Sequence, residues 1–556
     1  MANATNPLIV QSDRTVLLEV DNPLYAAARD GLASFAELEK SPEHIHTYRI
    51  SPLSLWNATA AGLTADAILA TLEQFGKFPV PDTLRHEIRE LASRYGRLVL
   101  ERADDELVLR IDNVNLAQQI AHHGKIAPFL GPPRDQTTFF IDTKYRGELK
   151  RALTQIGFPV QDVAGYVQGT PFPISLRSST SHAQPFEVRH YQADAAENFY
   201  RGGGVEGGCG VVVLPCGAGK TIVGMAVMAK VQTHTLILSA NITALRQWRE
   251  ELLDKTSLTV EDVAEYSGEV KQIAPVTLAT YQILTYRPDK RHDFFPHFDL
   301  FFKRDWGLII YDEVHLLPAP VFRITSDLQA RRRLGLTATL VREDGRESEV
   351  FSLVGPKRYD MPWKELEAQQ WLAQASCTEI RVPLPREEEF DYAVAGDRMR
   401  FRIASENSRK TEVVRSLIAR HADDRILIIG QYLTQLRALA KTLTAPLITG
   451  QTPQGERERL YGAFRDGRLP LLIVSKVGNF AVDLPDANVA IQISGTFGSR
   501  QEEAQRLGRI LRPKPGDNQA HFYTIVSYNS VEQEFAMKRQ LFLTEQGYSY
   551  QIEDVA

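Results

Sequence analysis

Cysteine is scarce in this chain: Cys209, Cys216 and Cys377 are the only three among 556 residues. Three scattered thiols cannot build a disulfide framework or a four-cysteine iron–sulfur or zinc site, and they indicate a reducing compartment. The sequence has no run of about 18 apolar residues, and its N-terminus lacks the basic-then-apolar pattern of a secretion signal. These absences predict a soluble, cytosolic protein that does not enter a membrane.

The chain also lacks a strong excess of one charge. Its formal net charge is −5, and 24% charged with 43% hydrophobic residues is ordinary for a globular protein. Any surface for a polyanion must therefore be a local basic patch. Fixed-period repeats and long low-complexity tracts are missing as well, and the length alone predicts three to five domains.

A glycine-rich loop is the most informative segment that is present. Residues 214–221 read LPCGAGKT and follow the apolar run Val211–Val213. Because Gly217 and Gly219 lack side chains, the backbone of this loop, with Ala218 between them, can curl tightly and aim its N–H groups at phosphate oxygens. The segment predicts a nucleoside-triphosphate site between a strand and a helix.

Two side chains complete the predicted phosphate site. Lys220 supplies a cation for the β- and γ-phosphates, and the Thr221 hydroxyl can bind Mg²⁺. A helix that begins near Thr221 would add the positive end of its dipole. The usual longer motif has glycine where Leu214 stands, so the match is the shorter G-x-G-K-T form and a chance loop is the alternative.

A pair of carboxylates follows a second apolar run. Residues 307–311 predict a buried parallel strand that ends at Asp312 and Glu313. Asp312 can hold Mg²⁺, and Glu313 can polarise an attacking water. Adjacent carboxylates also occur on solvated loops, but a strand before them and a phosphate loop upstream favour the catalytic interpretation.

Two arginines in the C-terminal third predict a contact with the nucleotide from a second lobe. Residues 505–512 read QRLGRILR, which puts Arg509 and Arg512 on one face of a helix. Guanidinium groups suit bidentate phosphate contacts, and an arginine finger that reaches across a cleft explains their distance from the glycine loop. The alternative is an ordinary basic helix face in solvent.

Apolar runs separated by helical stretches predict two consecutive α/β units with parallel sheets. A cleft between the units would hold the nucleotide from the first unit and the arginines from the second. The predicted strands are Val211–Leu214, Thr235–Ser239, Val276–Thr280, Leu308–Tyr311 and Arg333–Leu336, then Ile426–Gly430, Leu447–Thr449, Leu471–Ser475, Val489–Ser494 and Phe522–Val526.

The region before these units predicts smaller accessory domains. Two helices at 64–75 and 82–96, followed by a hairpin that turns at 102–106, are similar to a winged helix, which binds either DNA or protein. Residues 113–170 predict a further small α/β segment. The segment 171–185 is rich in proline and serine and is predicted to be a linker.

The ordered set of motifs resembles superfamily-two helicases, and specifically the XPB family of DNA helicases and translocases, over residues 186–545. The motifs that carry the resemblance are 189–192, 214–221, 312–315, 336–339, 342–344, 477–485 and 505–512. The resemblance implies two tandem RecA-like parallel-sheet motor domains, 186–375 and 376–556, behind N-terminal α+β accessory domains. It also implies ATP and Mg²⁺ as cofactors.

Further residue roles follow from this resemblance alone. Gln192 is expected to read the adenine base, and Gly478 and Asp483 belong to a nucleotide-binding motif. The triplet Arg342, Glu343 and Asp344 is similar to an element assigned to strand separation, although three charged residues are more often a solvated turn.

Two regions are expected to meet DNA if they behave as in the family. Residues 387–410 are expected to form a thumb-like insert; because Arg398, Arg400 and Arg402 alternate with apolar residues, an exposed amphipathic strand is the alternative. The 113–170 segment is a candidate for sensing damaged DNA.

The sequence therefore predicts an ATP-dependent DNA helicase, of 3′ to 5′ polarity by resemblance, that acts in DNA repair on single-stranded, forked or distorted DNA. A duplex translocase and a nucleotide-gated DNA-binding scaffold are the alternatives. We expect a monomer that works with a nuclease or a repair factor.

Overall fold

The computed structural model describes residues 5–40, 44–205, 207–289, 295–328, 331–338, 347–475, 487–495, 518–545, 548 and 550–555. The chain divides into two compact units. The first comprises Met1–Glu37, Thr47–Leu214 and Gly219–Asp360, and the second comprises Leu38–His46, Pro215–Ala218 and Met361–Ala556. Among the described residues, no helix combines the length and apolar character needed to cross a membrane.

The N-terminal part of the chain consists of short strands and helices. In chain order these are β1 (Leu8–Val10), β2 (Thr15–Glu19), α1 (Tyr25–Ala33), β3 (Glu37–Lys40), β4 (Ile45–Arg49), α2 (Pro52–Ala60), α3 (Ala65–Phe75), α4 (Asp82–Ser93), β5 (Leu98–Ala103), β6 (Glu106–Ile111), α5 (Val114–Ala121), β7 (Thr138–Phe140), α6 (Arg146–Gln155) and β8 (Val160–Asp162).

The order α3, α4, β5, β6 is the helix–turn–helix–hairpin that the sequence predicts. The Thr64 hydroxyl accepts a hydrogen bond from Ala67 N at 3.2 Å and caps α3. Asp104 and Asp105 form the hairpin turn with positive φ values of 51° and 64°. β5 and β6 belong to a four-stranded sheet of order β7-β6-β5-β8, so this sheet contains residues on both sides of the domain boundary expected at residue 112.

The first large sheet contains seven parallel strands in the order β11-β12-β10-β13-β14-β9-β15. Its central strands are apolar and buried on both faces, as parallel sheets require. The elements of this part are α7 (His190–Tyr200), β9 (Cys209–Val213), α8 (Lys220–Val231), β10 (Thr235–Ser239), α9 (Ile242–Lys255), β11 (Val263–Tyr266), β12 (Val276–Thr280), α10 (Tyr281–Leu284), β13 (Leu308–Asp312), α11 (Ala319–Asp327), β14 (Arg332–Thr337), α12 (Glu347–Leu353) and β15 (Lys357–Asp360).

The second unit contains another seven-stranded parallel sheet, of order β18-β19-β17-β20-β21-β16-β22. Two RecA-like sheets in tandem confirm the predicted fold class. The elements are α13 (Trp363–Ala368), β16 (Gln374–Val382), α14 (Arg386–Val394), α15 (Asp397–Glu406), α16 (Lys410–Arg420), β17 (Ile426–Gly430), α17 (Leu433–Leu443), β18 (Leu447–Ile448), α18 (Gln454–Arg465), β19 (Leu471–Ser475), β20 (Val489–Gln492), β21 (Gln519–Ser527), α19 (Val531–Glu545) and β22 (Tyr550–Asp554).

The segment expected to be a linker runs along the first unit. Phe172 N donates to Gln232 O at 2.9 Å, and Arg177 N donates to Lys255 O at 2.9 Å. Farther along, Ser181 N donates to an Asp254 carboxylate oxygen, also at 2.9 Å. The segment is therefore hydrogen-bonded to the first unit at several points.

Residues 387–410 form two helices, so the alternative of an exposed amphipathic strand is wrong. The alternating arginines lie in α15, where residues two positions apart point in nearly opposite directions. Arg400 donates to Tyr392 O and Ala393 O at the end of α14, and Arg402 pairs with Glu406 one turn later at 2.7 Å. Arg400 and Arg402 therefore make contacts with the end of α14 and within α15, and the alternating arginines do not lie on one face of a strand.

A buried ion pair lies within the second unit. Lys410 and Glu532 are 0% and 1% exposed, and Lys410 Nζ donates to both carboxylate oxygens at 2.9 and 2.7 Å. Glu532 also accepts from Ser527 N, and Lys410 also donates to Ile493 O. Buried charges of this kind are costly to leave uncompensated.

We expect Glu532→Gln to destabilise the second unit by about 3–5 kcal/mol, because it leaves the Lys410 charge buried without a counter-ion. Hydrogen–deuterium exchange of the β21 amides in the full chain measures this change. The exposed Glu534→Gln is the matched control and should leave the exchange unchanged. Equal protection in both variants would contradict the structural role.

Candidate active site

The carboxyl ends of three neighbouring strands build the candidate site. β14 lies between β9 and β13, and all three run in the same direction. Their register sets Thr337 opposite Val213 and Asp312 opposite Leu336. Because parallel strands end at one edge, the glycine-rich loop after β9 and the carboxylates after β13 share that edge.

The loop backbone has the geometry that its glycines predict. Gly217 and Gly219 have positive φ values of 84° and 80°, which favour glycine, and Ala218 lies between them. Gly219 is the N-cap of α8, whose first two residues are Lys220 and Thr221. Backbone N–H groups at this helix start are suited to an anion.

Gln192 lies beside the helix start. This side chain is buried, and its Oε1 atom accepts from Arg189 N at 3.0 Å. A Cβ atom added to Gly219 would lie 2.4 Å from Gln192 Nε2. Position 219 therefore favours glycine for two reasons: its φ is positive, and a Cβ atom there would collide with the Gln192 side chain.

Lys220 and Glu313 face each other across this edge. Lys220 Nζ lies 3.4 Å from Glu313 Oε1, and both side chains are largely buried. Burial by itself would raise the pKa of Glu313, but the Lys220 ammonium and His315 outweigh it and hold that pKa below its ordinary value. Glu313 is therefore ionised and able to accept a proton or orient a water.

The backbone of Glu313 is held in an uncommon conformation. Its φ of 48° and ψ of 54° are left-handed, which is rare for a residue other than glycine. Its Oε2 atom is buried and has no hydrogen-bond partner among the described residues. An unsatisfied buried oxygen beside a phosphate loop is suited to a water molecule.

Asp312 is held from two sides. Its carboxylate accepts from Trp248 Nε1 at 3.0 Å and from Glu313 N at 3.1 Å, and its backbone oxygen accepts from Tyr281 Oη at 2.9 Å. Burial, with the neighbouring Glu313 charge, raises the pKa of Asp312 to about 6. A cation bound there would favour the ionised form.

His315 connects this edge to β14. Its Nδ1 atom lies 2.8 Å from Thr337 Oγ1 and 3.4 Å from Glu313 Oε2. The end of β14 is thus tied to the residues after β13 by side chains as well as by the sheet. Leu214 N also donates to Thr337 O at 3.0 Å, which ties β14 to the start of the glycine-rich loop.

The structure brings Gln192, Gly219, Lys220, Asp312 and Glu313 together within the first unit. Thr221 is the second residue of α8. Other predicted site residues lie outside the described residues and are Arg342, Glu343, Asp344, Gly478, Asp483, Arg509 and Arg512.

Sequence reasoning missed Trp248 and Tyr281 as contacts of Asp312. Both lie on helices, α9 and α10, and the apolar spacing of these helices predicts only that the two aromatic residues pack in the core. The observable signal was weak: α9 and α10 each follow a strand of the same sheet, so their starts lie near the edge that carries the site.

These features define a class: a helicase-type ATPase built on two RecA-like sheets. Three family models match the chain. The model for the ERCC3/RAD25/XPB C-terminal helicase matches residues 366–555, a helicase conserved C-terminal domain matches 8–134, and the res subunit of type III restriction enzymes matches 185–342.

Curated relatives match nearly the whole chain. Proteins named DNA 3′-5′ helicase XPB from Kineococcus radiotolerans and Mycobacterium tuberculosis are each 53% identical over 99% of this chain, and the matches cover 96% and 98% of those proteins. A Saccharomyces cerevisiae protein named general transcription and DNA repair factor IIH helicase/translocase subunit is 30% identical over 99% of this chain and 72% of its own length. The chain belongs to the XPB family of DNA helicases.

We expect Gly219→Ala to weaken ATP binding at least tenfold. The added methyl group meets Gln192 and favours a negative φ, a conformational cost of about 1–2 kcal/mol. Calorimetric titration with ATP measures the dissociation constant. Gly467→Ala is the control, because Gly467 has a similar φ of 74° with nothing within 4 Å of the added atom. An unchanged constant in Gly219→Ala would contradict the close approach.

Proposed function

We propose that this chain hydrolyses ATP at the edge formed by β9, β14 and β13 and uses the energy to separate DNA strands with 3′ to 5′ polarity. The observation that carries the proposal is the Lys220–Glu313 pair of 3.4 Å, set beside a glycine-rich helix start. The names of relatives that are 53% identical along the chain support DNA as the substrate.

In the proposed reaction the loop N–H groups and Lys220 bind the β- and γ-phosphates of ATP. Glu313, kept ionised by Lys220, orients the attacking water and accepts its proton. Gln192, whose side chain approaches Gly219, contacts the adenine base.

Hard oxygen ligands suit Mg²⁺, and the chain offers the Thr221 hydroxyl and the Asp312 carboxylate. The ion would neutralise charge on the phosphates. Trp248 would orient the Asp312 carboxylate, since a hydrogen-bonded ligand loses less freedom when it binds a metal.

Residues outside the described part complete the proposal. Arg509 and Arg512, which belong to the proposed second motor domain, would neutralise charge on the γ-phosphate, and Gly478 and Asp483 would contact the nucleotide. Arg342, Glu343 and Asp344 would act where the strands separate.

The domain assignments also belong to the proposal. Residues 1–112, with their winged-helix-like part, and 113–170 are accessory regions. Residues 186–375 and 376–556 are the motors, and α14 and α15 form the thumb-like insert. We place the protein in the cytoplasm, acting in DNA repair.

Alternating closure of two motor domains would move the chain along a phosphate backbone. Contacts with phosphates carry no sequence information, so motion should be independent of sequence and weakened by salt. Opening a duplex costs on the order of 1.4 kcal/mol for each base-pair step. ATP hydrolysis can meet that cost.

A second candidate is translocation on duplex DNA without strand separation. The word translocase in the name of the Saccharomyces cerevisiae relative supports this second candidate. Both candidates share the ATP site and differ in what the motor does to the duplex.

Strand displacement on a forked duplex and displacement of a third strand from a triplex separate the two candidates. We expect the chain to open the fork with ATP, and DNA to stimulate its ATPase activity. Triplex displacement with an intact fork would favour the translocase.

The variant Glu313→Gln should bind ATP with unchanged affinity yet hydrolyse it about 10²–10⁴-fold more slowly, because it loses the base. Equal loss of ATP binding and ATP hydrolysis would contradict the role of Glu313.

We expect Trp248→Phe to raise the Mg²⁺ concentration needed for half-maximal ATPase activity by about 10–100-fold, because Asp312 loses its indole donor. Steady-state ATPase rates over a Mg²⁺ titration measure this shift. Trp306→Phe is the matched control, since that buried indole donates to Leu300 O and not to the site. The same titration curve for both variants would remove Trp248 from the proposed role.

A further inference from the structure

A cavity of about 230 Å³ lies inside the first unit, at a place distinct from the ATP site. Helices α2, α6 and α12 and strand β8 contribute to its wall, together with the starts of β9 and β15. Its contacts with the motor sheet are Cys209, the first residue of β9, and Arg358 in β15. The glycine-rich loop follows the opposite end of β9.

The charged residues in the described wall are mostly cationic. Lys150, Arg201 and Arg358 line the cavity together with one carboxylate, Asp162. Lys150 and Asp162 are buried side chains, 7% and 6% exposed. A polar cavity with three cations in its wall attracts an anion.

The single carboxylate has its acceptor positions occupied. Asp162 Oδ1 accepts from Arg146 Nη2 at 2.6 Å and from Ala164 N at 3.3 Å. Its Oδ2 atom accepts from Arg146 Nε at 3.0 Å and from Lys150 Nζ at 2.9 Å. A carboxylate offers about four lone-pair positions, and the hydrogen bonds from Arg146, Lys150 and Ala164 occupy those of Asp162.

Arg358 is held in place by the backbone of β9. Its Nε atom donates to Cys209 O at 2.9 Å. A Cβ atom on Gly210 would lie 2.4 Å from Arg358 Cγ, and Gly210 has a φ of 146°. Glycine at position 210 thus lets the arginine stem lie across the strand, and a fixed guanidinium loses less freedom when it binds an anion.

The pKa values of two groups in the cavity wall are shifted in opposite directions. Burial would raise the pKa of the Cys209 thiol, but Arg358, Arg333 and Lys150 outweigh it and lower that pKa. Burial raises the pKa of Tyr95, which lines the same cavity, to about 12. The Tyr95 hydroxyl therefore keeps its proton and can donate to an anion.

We propose that this cavity binds a small oxyanion of the phosphate class, held by Lys150, Arg201 and Arg358. Ligand pockets for larger molecules begin at roughly 300 Å³, so the cavity favours a free phosphate or a small phosphomonoester over a nucleotide. Guanidinium and ammonium groups are the usual protein partners of such anions.

Calorimetric titration of the full chain with inorganic phosphate tests the proposal. The titration is made on Lys220→Ala, because the glycine-rich loop is itself a phosphate site. We expect a binding isotherm in this protein, and we expect adding Arg201→Gln or Arg358→Gln to weaken the affinity by about 10–100-fold. That range corresponds to the loss of one hydrogen bond to a charged group.

Arg102→Gln in the same Lys220→Ala protein is the matched control, since Arg102 lies in the exposed β5–β6 hairpin of the same unit. It should leave the affinity unchanged. Arg201 is exposed, so its variant gives the test even if the Arg358 variant misfolds, which circular dichroism reports. Ionic strength is kept constant with sodium chloride, so that general salt effects are equal in all variants.

A second titration with glycerol 3-phosphate shows whether the ligand is a phosphomonoester or free phosphate. Binding in either titration that depends on Arg201 supports the site, and the tighter one identifies free phosphate or a phosphomonoester as the ligand. Absence of heat in both titrations, or equal affinity in the Arg201 and Arg102 variants, overturns the proposal.

Discussion

The common direction of three strands is the constraint on which the candidate active site depends. Because β9, β14 and β13 are adjacent and parallel, the chain leaves the sheet at the same edge each time. That geometry brings Lys220 within 3.4 Å of Glu313, although the two residues are far apart in sequence. An antiparallel neighbour would have carried one of them to the opposite edge.

The same edge gives two adjacent carboxylates different properties. Glu313 faces an ammonium and has a lowered pKa, whereas Asp312 is buried beside that negative charge and has a raised one. Environments that separate the pKa values of neighbouring acids are a common way to assign them different tasks. Here one carboxylate is suited to water and the other to a cation.

A cluster of charged side chains in the accessory part of the first unit lies beside its motor sheet. Arg146, Lys150 and Asp162 form a buried cluster beside the start of β9. A buried cluster with more cations than carboxylates is costly, since charge is expensive to remove from water. An anion in the adjacent cavity would lower that cost and would stabilise the strand that leads to the glycine-rich loop.

The sequence by itself determined the parallel α/β class, the buried central strands and the position of the glycine-rich loop, because apolar runs and glycines act locally. Strands β10, β12, β17 and β19 have the predicted bounds. Strands β11, β15, β16 and β22 were missed; β16, for example, buries Thr378 and Glu379 among apolar residues. The alternation at 398–402 was compatible with a strand, whereas the structure has a helix there, in which Arg400 contacts the end of α14 and Arg402 pairs with Glu406. Tertiary structure alone decided that Trp248 holds Asp312, that Gln192 approaches Gly219 and that cations from distant segments share one cavity. Such contacts depend on how elements far apart in sequence pack, and local patterns carry no information about that distance.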